Sequence, residues 1–406
     1  MKFRSLLAAL IVSIALTPFA LFSVSADNLT ESCVESFDAT VDYFPEKVEP
    51  RFSEGWRVSY HNNYKVVDVL TPFPGAADID AFQYVLVQCG TPAPEGFDDA
   101  LMIEVPSGAL IALSTTYVPH LDDLGLLDNL IGMDSGLYVS NPEVVARFAA
   151  GDLLEVGSGP SVNVEAILDA EPALVLAFGS GSPDYDTHPT LIEAGVPVVV
   201  ASDYVEGSPL GQAEWAKFIA LFYNREALAN EVFEAKAASY ADLTALTAAL
   251  SDAERPAVLW NGYLSYADAW FIPGSDSFAA QYVRDAGGML VLGDAPETQD
   301  TAAGVPFAFE TVYEAGLDAD IWMPGTFGVT TLMDFVAQDE RYADFAAVTN
   351  GQVYNFDARE NANGGNDYFE SGVANPQLVL ADLIAILHPD LLPEHELVYF
   401  RNLPKE

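Results

Sequence analysis

Two kinds of apolar segment alternate along most of this chain. Short runs such as 109–113 (ALIAL), 173–178 (ALVLAF), 196–200 (VPVVV) and 257–260 (AVLW) are apolar at nearly every position. Strands of a parallel sheet read that way, because helices cover both of its faces. Between them lie stretches with apolar residues at helical spacing: 190–194 ending at Gly195, 278–286 ending at Gly287, 310–315 and 377–387. The alternation predicts an α/β fold built on mainly parallel sheets. One unit spans 105–178. It reads as a strand at 109–113, a polar turn at Ser114, Thr115 and Thr116, a helix ending near Gly125, a short helix at 164–168 and a strand at 173–178. Ligands of such sheets bind beyond the carboxyl ends of the strands, which makes Ser114 to Tyr117 a candidate binding position.

The chain before 105 has a different rhythm. Segments 57–60 and 64–69 flank His61-Asn62-Asn63, a hairpin turn, and a third strand at 84–89 follows a loop rich in Pro, Gly and Asp. A small antiparallel sheet is expected, leading into the first α/β lobe or packing on its edge. Residues 212–250, rich in Ala, Leu and Glu, predict a long helix with a break at Asn224-Arg225; two ordinary packed helices are the alternative. The expected organisation is a signal segment at 1–26, a β-rich extension at 27–104, an amino-terminal α/β lobe at 105–211, an interlobe helix at 212–250 and a carboxyl-terminal α/β lobe at 251–406.

Charge and cysteine content narrow the setting. Lys2 and Arg4 precede an apolar run at 6–22, and Val24-Ser25-Ala26 offers small residues for cleavage, the pattern of a secretory signal; an uncleaved anchor is the alternative. The chain is expected in the periplasm or outside the cell. In that compartment the two cysteines, Cys33 and Cys89, are expected to form a disulfide. Asp and Glu outnumber Lys and Arg by 60 to 16, a formal charge of -44. Such a surface repels nucleic acid and anionic membranes, so neither is expected as a partner.

The residues give little support to catalysis. There is no nucleophile elbow and no pair of histidines at helical spacing. The five histidines are scattered, so neither a catalytic residue nor a metal site held by the protein is expected. Aromatic residues say more. Tyr117 and Tyr138 follow strands of the first lobe, while Trp260, Tyr263, Tyr266, Trp270 and Phe271 cluster at the start of the second. Rings on loops facing an interlobe cleft would offer broad apolar contact with polar tips, suited to a bulky organic chelate or macrocycle. An ordinary core role is the alternative for Trp260. Arg359, just after a strand, could hold a carboxylate or hydroxamate oxygen, or pair with Asp357.

Several of these segments carry a family resemblance. They are Leu113-Ser114, Asp123-Leu124-Gly125-Leu126, Asn163 to Leu168, Glu171-Pro172-Ala173-Leu174-Val175, and the DERYADFAAVTNGQVY segment at 339–354. In this order and spacing the chain resembles the substrate-binding proteins of ABC importers for iron-siderophores, haem and cobalamin, over about 105–400. The resemblance implies two lobes joined by a stiff helix, no enzymatic activity and no cofactor, with a small-molecule metal chelate bound between the lobes. It implies a monomer that meets a membrane permease through one glutamate on each lobe, for which Glu165 and Glu310 match. Ligand contacts are expected from Ser114, Thr115, Thr116, Tyr117, Tyr138, Trp260, Tyr263, Tyr266, Trp270 and Arg359. A ferric siderophore is the expected ligand. Cobalamin, or haem with an axial Tyr or His such as His120, are alternatives, as is a cell-surface sensor or adhesion module that uses 27–104 as its interface.

Overall fold

A computed structural model describes residues 27–77, 81–98 and 100–406; the expected signal segment lies outside them. The extension forms four strands: β1 (Trp56–Tyr60), β2 (Tyr64–Val69), β3 (Phe82–Gln88) and β4 (Leu101–Val105). The first three pair antiparallel, as alternation and the Asn62-Asn63 turn predict. β4 instead runs parallel to β3, which makes the sheet mixed. The amino lobe follows with β5 (Leu110–Ala112), β6 (Leu130–Met133), β7 (Leu154–Glu155), β8 (Leu174–Ala177) and β9 (Val198–Val200). These make one parallel sheet in the order β7-β6-β5-β8-β9.

The extension and this lobe share a core. Val67, Tyr84 and Leu86 pack into the same cluster as Leu110, Leu174 and Phe218. The Val200 N–H donates to the Tyr84 hydroxyl at 2.8 Å, so the extension lies against the edge strand. Cys33 and Cys89 are joined in a disulfide with Cα atoms 4.8 Å apart, which ties the start of the extension to the end of β3.

Carboxylates fasten the extension to the interlobe region. Glu214 accepts the N–H groups of Arg51, Phe52 and Ser53 at 2.8, 2.6 and 2.9 Å. Glu206 accepts those of Glu54 and Gly55, together with the Trp215 indole at 2.9 Å. Lys65 and Glu226 form a fully buried ion pair at 2.6 Å, and burial pulls the Lys65 ammonium below its usual range. Losing either partner would leave a buried charge uncompensated.

The long helix expected over 212–250 is three helices: Pro209–Ala213, Trp215–Leu221 and Glu226–Thr247. Asn224 takes the left-handed conformation at φ 54°, which ends the second and turns the chain into the third. The last, with 22 residues, is about 33 Å long and crosses between the lobes.

The carboxyl lobe is built differently. β10 (Ala257–Trp260) is followed by β11 (Tyr263–Leu264), β12 (Ala269–Pro273), β13 (Met289–Leu290), β14 (Gly304–Phe307), β15 (Ile321–Met323), β16 (Tyr354–Asn355) and β17 (Arg401–Asn402). β13-β10-β15 form a parallel sheet, and β11-β12-β14 a separate antiparallel one that short runs and Gly-rich turns did not announce. Helix Pro376–Leu387 packs on the long interlobe helix and closes the lobe.

Candidate functional site: the interlobe cleft

The loops after β5, β8 and β9 in the amino lobe face helix Phe278–Asp285 and residues 368–379 of the carboxyl lobe, beside helix Pro209–Ala213. Two adjoining cavities of about 220 and 260 Å³ lie there. Both are lined by Thr116, Asp203 and Tyr204. The cavity of about 220 Å³ adds Phe278, Tyr282 and Tyr368 from the carboxyl lobe. The other adds Ser114, Phe178 and Ser180. Neither lining includes Lys, Arg or His.

The lobes touch along one side of this cleft. Glu370 accepts the N–H groups of Ser140 and Asn141 at 2.7 and 2.8 Å, and Asn361 donates to the carbonyl oxygens of Leu137 and Val139 at 3.1 Å each. Gly365 permits this approach, because a Cβ there would collide with the Tyr138 carbonyl. Lys236 on the long helix spans both lobes: it pairs with Asp123 and donates to the Ala374 carbonyl at 2.9 Å. Burial pushes the Glu370 carboxyl up to about 7, and the two N–H donors only partly offset it.

The residues read from the sequence divide. Ser114 and Thr116 line the cleft; Ser114 holds the turn by accepting the Thr116 N–H at 3.3 Å. Thr115 sits in the same turn, half-buried and outside both linings. Tyr117 is core instead, 1% exposed, its hydroxyl donating to the Ala201 carbonyl at 2.6 Å. Trp260 and Trp270 are also core: the Trp270 indole donates to the Trp260 carbonyl, and its ring stacks on Trp322 at 5.4 Å. His120 is fully buried, and burial pushes its imidazole down to about 3; it is no candidate for an axial ligand.

Tyr138 and Tyr266 stand exposed. Tyr263 is half-buried and hydrogen-bonds Asp268. Tyr263 and Tyr266 line a surface hollow of about 610 Å³ with Phe327. Arg359 pairs with Asp367 at 2.9 Å, not with Asp357, whose partner is Arg401 at 2.7 Å. Arg359 borders a second hollow of about 630 Å³ beside Leu137 and Ser140, at the outer edge of the interlobe contact. Sequence reasoning missed Asp203, Tyr204, Tyr282, Tyr368 and Phe369. The signal was available for Tyr204 and Asp203, which follow the apolar run 196–200 as Ser114 follows 109–113.

Glu165 and Glu310 are both exposed and both in the first turn of a helix. Their positions correspond: the helix of Glu165 leads into β8 beside β5, and that of Glu310 into β15 beside β10.

Paired α/β lobes on a long helix, with a cleft at their strand ends, are matched by a family model described as periplasmic binding protein, which covers residues 110–360. The chain belongs to the periplasmic binding protein family. Periplasmic binding proteins of this kind are substrate-binding proteins rather than enzymes, and they act outside the cytoplasm. Among the described residues no helix is long and apolar enough to cross a membrane. An uncharacterized lipoprotein of Methanocaldococcus jannaschii is 24% identical over 397 residues, covering 93% of this chain and 86% of that one.

Solved structures share the fold at low identity. A possible iron-binding periplasmic solute-binding protein of Staphylococcus epidermidis aligns with TM-score 0.54 and 16% identity, over 70% of this chain and 99% of that one. A periplasmic haem-binding protein of Pseudomonas aeruginosa gives 0.53 and 15%, over 74% and 99%. A periplasmic binding protein of Veillonella parvula gives 0.53 and 16%, over 86% and 100%.

Proposed function

We propose that the protein is the solute-binding component of an ABC importer, which captures an iron-siderophore-type chelate between its lobes and delivers it to a membrane permease. One observation carries this reading. Tyr138, Tyr185, Tyr204, Tyr266 and Phe327 stand exposed in loops that follow strands, and Phe369, exposed in the turn Asp367–Phe369, joins Tyr204 in lining the cleft. Exposed rings gathered at one kind of position call for a large, partly apolar ligand to cover them. The cavities of about 220 and 260 Å³ are smaller than the ~300–1,000 Å³ of ordinary ligand sites, so a chelate would enter by parting the Glu370 and Asn361 contacts. The correspondence of Glu165 and Glu310 supports permease docking by one carboxylate per lobe. A corrinoid is the second reading, favoured by ring-lined walls that carry no cation.

Purification from the native host, followed by absorbance and mass spectrometry of what is released on denaturation, tests the proposal. A ferric chelate is expected. A corrinoid would favour the second reading, and a metal-free solute would overturn both.

A further inference from the structure

The cleft floor holds a carboxyl group that the fold leaves unsatisfied. Asp203 follows β9, is 2% exposed and lines both cavities. Its Oδ2 has no hydrogen-bond partner among the described residues. Burial pushes the group up to about 6, and hydrogen bonding by Thr116 only partly counters this. A second carboxyl stands nearby: Asp134, after β6, has an unpartnered Oδ1, and it and Asp203 both act on the Tyr117 hydroxyl. Buried polar oxygens are ordinarily hydrogen-bonded, and an unpaired one is costly. A ligand that brings a donor or a positive charge relieves that cost; a ligand that brings negative charge deepens it. The walls offer no Lys, Arg or His to reverse the sign, and a formal charge of -44 adds to it at long range.

We infer that Asp203 is the specificity-determining anchor of the cleft: it receives a cationic or hydrogen-bond-donating group, so that neutral and positively charged chelates are taken and polyanionic ones refused. The inference rests on the solute-binding reading given above. It separates hydroxamate-type ferric complexes, which are neutral or cationic, from catecholate and citrate complexes.

The test titrates wild-type protein and Asp203→Asn with three probes, following intrinsic fluorescence: a cationic ferric trihydroxamate, a neutral one and a trianionic ferric tricatecholate. Wild type is expected to bind the cationic probe at least about tenfold more tightly than the trianion. In Asp203→Asn that advantage is expected to shrink by about tenfold, with an unchanged thermal midpoint. Equal affinity for the trianion, or a preference that survives the substitution, overturns the anchor but leaves the cleft as a binding site. Failure of every probe to bind wild type overturns both. Should the variant not fold, the wild-type comparison of cation with trianion decides alone.

Discussion

The carboxyl lobe's interior and the rim of the cleft use the same residue types for opposite ends. Inside, Trp270, Trp322, Phe309, Phe335, Tyr342 and Phe345 form one packed cluster, with Trp322 4.7 Å from both Phe335 and Phe345. At the rim, Tyr204 and Phe369 line the cleft and are 40% and 42% exposed. A ring's chemistry does not choose between core and contact surface. The backbone does: rings on β12 and β15 are trapped between layers, whereas rings a few residues past a strand end have nothing above them.

If that division is right, the two groups must respond differently to truncation. Trp322→Ala should be the most damaging, costing about 3–5 kcal/mol in chemical denaturation through the cavity it leaves. A cost below about 1 kcal/mol would place Trp322 outside the core. Removing the disulfide by Cys33→Ser with Cys89→Ser should cost about 2–4 kcal/mol. Near-ultraviolet circular dichroism of the aromatic cluster should be unchanged, because the bridge ties the extension and not the carboxyl lobe. At the rim, Tyr204→Ala with Phe369→Ala should leave the thermal midpoint where it is and weaken chelate binding about tenfold. A fall in stability without loss of affinity would make those rings structural.

The smallest effect concerns the contact between lobes. Glu370 has its carboxyl raised to about 7 in the closed protein, above its ordinary value. Closed protein therefore holds a proton that open or unfolded protein has released. This contribution to closure is full below the ordinary carboxyl range and is lost as pH rises through about 7. Asp367 adds to the rise. After correction for the base-catalysed rise common to all amides, protection of Ser140 and Asn141 from hydrogen exchange should fall between about pH 5 and 7.5 in wild type, and that fall should flatten in Glu370→Gln. Parallel profiles would remove Glu370 from the contact.

Periodicity made much of the architecture legible. Apolar runs at 109–113 and 173–178 gave the central strands β5 and β8, and the Asn224-Arg225 break fell where Asn224 turns. The antiparallel β11-β12-β14 sheet stayed hidden, because two-residue and four-residue strands carry too little pattern. In the site, Ser114 and Thr116 could be read because they follow a run of five apolar residues. Trp270 was misread because its neighbours Tyr266 and Asp268 are polar, while its own strand pairs with β14, whose residues come 31 to 37 positions later. Asp203 could not be recognised as unsatisfied, since only the folded chain shows which donors reach it.

A cleft that holds a bulky metal chelate must release or absorb heat when the chelate binds. Isothermal titration of the folded protein with a ferric trihydroxamate measures that directly. One-to-one binding at micromolar affinity or tighter is expected, weakened about tenfold by Tyr204→Ala with Phe369→Ala. No heat of binding with any ferric chelate, or binding untouched by loss of both rings, would contradict it.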